Sequence, residues 1–300
     1  MSGDALSQDP AELRKRFDNT RPHPARIYDV FLGGKDNYPA DRAAAAAALA
    51  ANPRGYLDVR HNRDFLRRAV TRLAAEDGIH QFLDIGTGLP TAENVHQIAQ
   101  RILPDSRVVY VDNDPIVLAH ARALLTSGPD GRTDYIDADF ENPAEILEQA
   151  AKTLDFDQPM ALFLVAILHF IEDEVAYPIV SELVEALPSG SRLVISHLTE
   201  DLNPEKIQGV QRSYTERGLT FVLRSRAEVE RFFTENSLGL ADPGVVPVHH
   251  WHPDHAAPVL EQPDPALLAG LDDIDRSRYA DINDVTDADI NVYAGVAAKA

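Results

Sequence analysis

The chain has no cysteine, which excludes disulfides, thiolate metal ligands and a cysteine nucleophile. It also lacks any apolar run near the ~20 residues that a membrane helix needs. The longest, Pro159–Ile171, is interrupted by His169 and suits a buried strand. Met1–Pro10 is acidic and polar, without the charged-then-apolar pattern of a secretory signal, so a cytoplasmic location is expected. Positive charge is scarce: 28 Lys and Arg stand against 48 Asp and Glu, a net charge of −20. Such a surface repels phosphate backbones and anionic membranes, so neither nucleic acid nor membrane is an expected partner. Arg14–Arg16 and Arg60–Arg72 are locally basic, but the second has helical spacing and reads as a solvated face.

What is present is enough for a large core: 300 residues, 44% of them hydrophobic, fit one large domain or one domain with an appended segment. The organising stretch is Phe82-Leu83-Asp84-Ile85-Gly86-Thr87-Gly88-Leu89-Pro90. An apolar strand runs into a glycine turn, and Pro90 is placed to open a helix reaching Leu103. That helix N-terminus would offer free amides to a ligand. From there strands and helices alternate. Gln81–Gly86, Arg107–Asp112, Asp134–Asp137, Met160–Ile167 and Arg192–His197 read as strands. Between them lie helices from Pro115 to Leu125, after the Asn142–Glu145 capping box, and from Pro178 to Leu187.

Before this alternation, six consecutive alanines mark a helix over Asp41–Ala51, stopped by Asn52-Pro53. A second helix is expected from Asp58 to Glu76, capped by Gly78, with Asn62 and Arg63 facing a ligand site or water. After it come a polar helix over Asn203–Tyr214, an extended Leu219–Leu223 and a helix opened by Ser225-Arg226-Ala227-Glu228. Two late strands, Val245–Val248 and Ile290–Ala297, flank an irregular Pro- and Asp-rich excursion over Trp251–Ala288. The pattern describes an α/β fold: a doubly wound, seven-stranded, mostly parallel sheet with an antiparallel end. Residues 1–20 are expected as a disordered arm with a helical turn at Ala11–Phe17, and residues 21–78 as an N-terminal helical lid. In the lid, Gly33-Gly34 would supply mobility, and Tyr28 and Tyr38 would supply surface for the substrate.

In a doubly wound sheet, ligands bind beyond the carboxyl ends of the strands. That rule gathers Asp84–Gly88, Asp112, Asp137–Phe140 and Ala166–His169 around one crevice. Asp112 ends the second strand 24 positions after Gly88, where a carboxylate accepts from ribose hydroxyls. Asp139-Phe140 offers a carboxylate to an adenine amine and a ring to its face, with Asn113 as a further nucleoside contact. A full dinucleotide fingerprint would need glycine at Thr91, and a pyrophosphate would be repelled by Asp84. A sulfonium cofactor with a free α-amino group is instead favoured by Asp84, which tilts the reading from nicotinamide to S-adenosylmethionine. His169 is the candidate general base and His197 a weaker one. His249-His250-Trp251-His252-Pro253-Asp254-His255 clusters four histidines, but adjacent residues in a Pro-broken loop suit no closed tetrahedral set, so no functional metal is expected.

Asp84-Ile85-Gly86-Thr87-Gly88 with Asp112 and Asp139 resembles the class I, Rossmann-like S-adenosylmethionine-dependent methyltransferases. Arg21-Pro22-His23-Pro24-Ala25-Arg26-Ile27-Tyr28-Asp29-Val30-Phe31-Leu32-Gly33-Gly34-Lys35-Asp36-Asn37-Tyr38 resembles an actinobacterial S-adenosyl methyltransferase group once called a domain of unknown function. His61–Val70 and Val292–Val296 fit that group, while the Trp251–Ala288 excursion looks longer than its pattern. The resemblance implies a Rossmann-like domain over residues 79–300 and methyl transfer to a small-molecule acceptor. It implies that Asp84, Gly86, Thr87 and Gly88 hold the methionine part and that Asp112 takes the ribose. Asn113, Asp139 and Phe140 would frame the adenine, and Arg63 would pair with the cofactor carboxylate. A regulatory protein that binds the cofactor without turnover, or a nicotinamide-dependent oxidoreductase, remain alternatives at this point.

Overall fold

The structure, a computed structural model, describes residues 18–90, 93–124, 127–253, 265–277, 279 and 283–300. Two-residue alternation in the strands sorts their side chains onto two faces. Leu83, Ile85, Val109, Val111, Leu162 and Leu164 share one core, and Phe82, Val108, Tyr110, Ala161 and Phe163 share the other. The strands are β1 (Gln81–Ile85), β2 (Arg107–Asp112), β3 (Arg132–Asp137), β4 (Ala161–Val165) and β5 (Arg192–Leu198). They lie parallel in the order β3-β2-β1-β4-β5. Two-residue strands β6 (Gly239–Leu240) and β7 (Val246–Pro247) and the longer β8 (Val292–Ala298) complete the sheet. β8 runs antiparallel to β5, with Ser196 opposite Ala294. β6 and β7 pair with β8 in turn. The sheet therefore has eight strands where seven were expected, because Gly239–Leu240 is too short to carry a periodic signal.

Helices α1 (Pro24–Leu32), α2 (Pro39–Ala51) and α3 (Tyr56–Ala75) precede the sheet. α3 and α4 (Val95–Ile102) cover one face. α5 (Pro115–Leu124) lies at the β2–β3 end, and α6 (Pro143–Ala150), α7 (Asp173–Ala186) and α9 (Arg226–Thr234) cover the opposite face. A third core joins α1 and α2 to α8 (Pro204–Thr215) through Ile27, Phe31, Ala45, Ala48 and Tyr214. The alanine run lets these helices approach closely: a Cβ on Gly209 would stand 2.9 Å from that of Ala51. Gly78 ends α3 as expected, at φ +64, and the Ile79 amide returns to the Leu73 carbonyl at 2.9 Å.

Several boundaries move for local reasons. α4 starts at Val95 rather than Pro90, because Asn94 and Gln97 cap each other there. α7 starts at Asp173 and carries Pro178 inside it. The one intrahelical bond lost to Pro178 is offset by burial of Ala176, Tyr177, Ile179 and Val180 on either side. β4 stops at Val165 because Ala166 turns to φ +58. The capping box expected at Asn142 is absent, its side chain making no cap bond, whereas the one at Ser225 and Glu228 forms. Leu219–Leu223 has no strand partner among the described residues. Within the excursion, α10 (Pro265–Gly270) and α11 (Asp273–Ser277) form, and Arg42 of α2 reaches Asp272 and Asp275 at 3.0 and 3.4 Å. The expected helical turn at Ala11–Phe17 lies outside the described residues. No described helix is long and apolar enough to cross a membrane.

Candidate functional site

Between β1 and β4 the strand order reverses, and a cavity of about 330 Å³ opens at their carboxyl ends. The glycine turn forms its floor. Gly86 sits at φ +76, and a Cβ there would lie 2.5 Å from the Ile167 side chain, so no other residue fits. The turn amides face inward rather than to a ligand. Those of Gly86 and Thr87 donate to the Val111 carbonyl at 2.8 and 3.2 Å, and that of Gly88 to Asp112 Oδ2 at 2.8 Å. The Thr87 hydroxyl donates back to the Asp84 carbonyl at 2.9 Å. With α4 starting only at Val95, the expected helix N-terminus is not at the turn. Thr91 lies outside the described residues.

The acids replace those amides as the polar features of the cavity. Asp112 is held from both sides, its Oδ1 accepting from the Asp114 amide at 2.9 Å and its Oδ2 from Gly88. Burial pushes its carboxyl up from the usual range, against those two amide bonds. Asp84 is also buried and borders the cavity. Burial pushes it up to about 7, Arg63 opposes the shift and Asp112 adds to it. Arg63 borders the same cavity and donates to the Glu93 carbonyl at 3.0 Å. At the far end Asn113 donates to Asp139 Oδ2 at 2.7 Å, and Asp139 Oδ1 accepts from the Glu141 amide at 3.0 Å. Phe140 is a core residue and a cavity wall at once.

The N-terminal segment covers this cavity with Tyr28 and is fastened by charge. His23 and Arg26 reach Asp114 at 3.1 and 3.5 Å, and Arg26 also faces Asp41 at 3.7 Å. Gly33-Gly34 is not a free hinge. Gly33 is the left-handed cap of α1 at φ +75, and Gly34 lies so near the Asp29 carboxylate that a Cβ would overlap it. Asp29 accepts from the Asp36 amide at 3.0 Å and from Asn37 Nδ2 at 2.9 Å. Gly33–Asn37 is thus a turn wrapped around one buried carboxylate. Tyr38, expected at the substrate, packs instead against Leu89, Ile116 and Val117 beneath Arg26, and borders neither described cavity.

A second, smaller cavity of about 70 Å³ lies behind Tyr28, Asn62, Ala166 and Phe170, which border both. A string of hydrogen bonds runs through the partition. The Ala166 amide donates to Ser196 Oγ at 3.0 Å and Ser196 Oγ to Asn62 Oδ1 at 2.5 Å. Asn62 Nδ2 then donates to the Tyr28 hydroxyl at 2.9 Å, and Tyr28 to the Val59 carbonyl at 3.1 Å. His169 borders this second cavity and not the first. Burial, then His197 and Arg224, hold it well below the ordinary histidine range. His197 is filled at both nitrogens, Nδ1 against the Leu198 carbonyl at 2.7 Å and Nε2 against Arg224 at 2.6 Å. Burial and Arg224 lower it to about 3, so it is a structural histidine.

Arg224 is the residue that sequence reasoning missed. It also donates to the Leu168 and Ile171 carbonyls at 2.7 and 2.9 Å, and so anchors the segment carrying His169. In the histidine cluster, His249 and His250 turn their Nε2 atoms to Asp287 at 3.0 and 2.6 Å. The three ligating atoms lie within 4.8 Å of one another, an open trio with Asp287 exposed. His255 lies outside the described residues.

Known structures share this architecture. A DUF574 family protein from Streptomyces avermitilis superposes with a TM-score of 0.81 at 45% identity, over 94% of this chain and 99% of that one. A putative methyltransferase from Thermobifida fusca does so with a TM-score of 0.76 at 36% identity, over 98% and 99%. No curated protein matches. The S-adenosyl methyltransferase family profile matches residues 10–300, which decides between the nicotinamide and sulfonium readings. With that match over nearly its whole length, the chain belongs to the S-adenosyl methyltransferase family and is an S-adenosylmethionine-dependent methyltransferase.

Proposed function

We propose that the larger cavity holds S-adenosylmethionine, and that the protein transfers its methyl group to a small molecule. The observation that carries this reading is the pair of buried acids at one turn. Asp112 is held by two amides with lone pairs left on each oxygen, which suits the two ribose hydroxyls. Asp84 is a buried carboxylate whose nearby cation, Arg63, does not neutralise its upward shift, so it suits the cofactor's ammonium. The donor set therefore fits the group. When bound, the cofactor supplies a methyl group on a positively charged sulfur, already activated for displacement.

Asp84, with the Gly86-Thr87-Gly88 turn, orients the methionine part, and Arg63 pairs with its carboxylate. Asp112 fixes the ribose, while Asn113, Asp139 and Phe140 frame the adenine. Residues 21–78 form a lid over the site, with Tyr28 as its inner surface, and residues 79–300 form the Rossmann-like domain. Holding the two reactants in contact with water excluded is the chain's main task. An acidic surface of net charge −20 supports a small-molecule acceptor over a nucleic acid. Asp112→Ala removes two hydrogen bonds to a charged acceptor, about 3 kcal/mol, so calorimetry should show cofactor affinity falling about a hundredfold. Unchanged affinity in a folded variant would refute the ribose assignment.

A further inference from the structure

The smaller cavity differs in chemistry from the larger one and has features of a binding site in its own right. Its walls are largely apolar and aromatic, with Phe31, Phe170, Tyr214 and Phe221 around it. Two buried polar side chains on that wall lack partners: His169, 5% exposed, at Nδ1, and Asn52, 1% exposed, at Nδ2. A buried polar atom without a partner costs free energy that a bound ligand recovers. Among the described residues, neither Lys nor Arg borders the cavity. The one carboxylate among the described residues that border it, Asp58, accepts from Asn291 at both oxygens, at 2.6 and 3.1 Å. An anionic ligand would be buried beside Asp58 with no counter-charge from a described residue.

We propose that this second cavity is the acceptor site, and that it takes a non-anionic, single-ring aromatic molecule carrying a hydroxyl group. The inference rests on the larger cavity being the cofactor site, because the described residues that border both, Pro24, Tyr28, Asn62, Ala166 and Phe170, set the two spaces side by side. Size sets the single ring. At about 70 Å³ the cavity is smaller than the ~150 Å³ that takes up a benzene ring, so one ring is the most it admits, and only with slight widening of its walls. Polarity sets the hydroxyl, the one small group that both donates and accepts. The neutral imidazole of His169 and the amide of Asn52 are complementary to it. Ala166, at φ +58 in the partition, carries the kind of backbone strain that gathers at ligand sites. In the transfer the cofactor's S–CH3 bond breaks as the bond from the methyl to the hydroxyl oxygen forms, S-adenosylhomocysteine leaves, and the hydroxyl proton passes to Nδ1 of His169, which burial, His197 and Arg224 keep neutral and so able to accept it.

The test is calorimetry on the full chain, with S-adenosylhomocysteine and then phenol as probes, alongside benzene and benzoate. Phenol should bind one site, with benzene and benzoate each at least tenfold weaker. His169→Phe keeps the ring but removes its nitrogens, and phenol affinity should fall about tenfold with S-adenosylhomocysteine affinity unchanged. Val210→Phe fills the cavity from α8 and should abolish phenol binding. It guards against a fold defect in the first variant, since its own fold is checked by retained S-adenosylhomocysteine binding. If S-adenosylhomocysteine binds but phenol does not, or if benzoate binds as well as phenol, the acceptor inference fails and the cofactor reading stands. If S-adenosylhomocysteine itself does not bind, the cofactor reading fails first.

Discussion

Asp84 and Asp112 are two buried carboxylates at one cavity, yet the chain treats them differently. Asp112 is locked by the amides of Gly88 and Asp114. Asp84 has Arg63 as its opposing charge and is pushed up to about 7. Because its folded-state value lies above the unfolded one, the folded protein holds that proton more tightly. Asp84 therefore contributes stability that is fully present below the ordinary aspartate range and is lost as pH rises through about 7. A cationic ligand favours the ionised form, so cofactor affinity should climb as pH rises toward 7 and level off above it. Asp84→Asn should make the ligand-free protein more stable at pH 8, while weakening cofactor binding and flattening its pH dependence near 7. Thermal melts and titrations at pH 6 and 8 check both signs, and an affinity that falls on raising the pH would contradict the role of Asp84.

Among the elements, the segment Leu168–Asp173 shows how far a remote residue governs the site. Arg224 holds it through two carbonyls, His197 and Asp173, with Nη2 2.6 Å from the Asp173 carboxylate. Arg224→Met leaves these acceptors without a donor and should cost about 3 kcal/mol in urea unfolding. A change below ~0.5 kcal/mol would show that the anchor is dispensable. Nothing near Arg224 in the chain marks it, because its partners lie 27 to 56 residues away. The parallel strands were legible, since burial on both faces leaves continuous apolar runs such as Ala161–Val165. Pro90 misled because proline suits a first helical turn and an irregular loop equally, and Asn94 with Gln97 made the better cap. Asp84 and Asp112 were legible as acids bordering one cavity because they stand at the carboxyl ends of β1 and β2. Tyr38 was not: an aromatic ring reads the same on a ligand as on Leu89 and Ile116. The glycine pair hid its purpose for a similar reason, since Asp29 sits a helical turn away.

Over the whole molecule, two cavities share one hydrogen-bonded wall beneath the N-terminal helices. His23 and Arg26 fasten that layer to Asp114, two residues beyond Asp112. If this layer acts as the proposed lid, held through the Arg26–Asp114 pair, cofactor binding should slow amide hydrogen exchange across α1. Exchange that stays unchanged there, with the cofactor bound, would make residues 21–78 a fixed cover. The account depends above all on what the larger cavity binds. Titrating the full-length chain with S-adenosylmethionine at pH 8, followed by calorimetry with NAD as the comparison, tests it most directly. Saturable one-site binding of S-adenosylmethionine, with no heat from NAD, is the expected result. No S-adenosylmethionine binding to folded protein, or tighter binding of NAD, would contradict it.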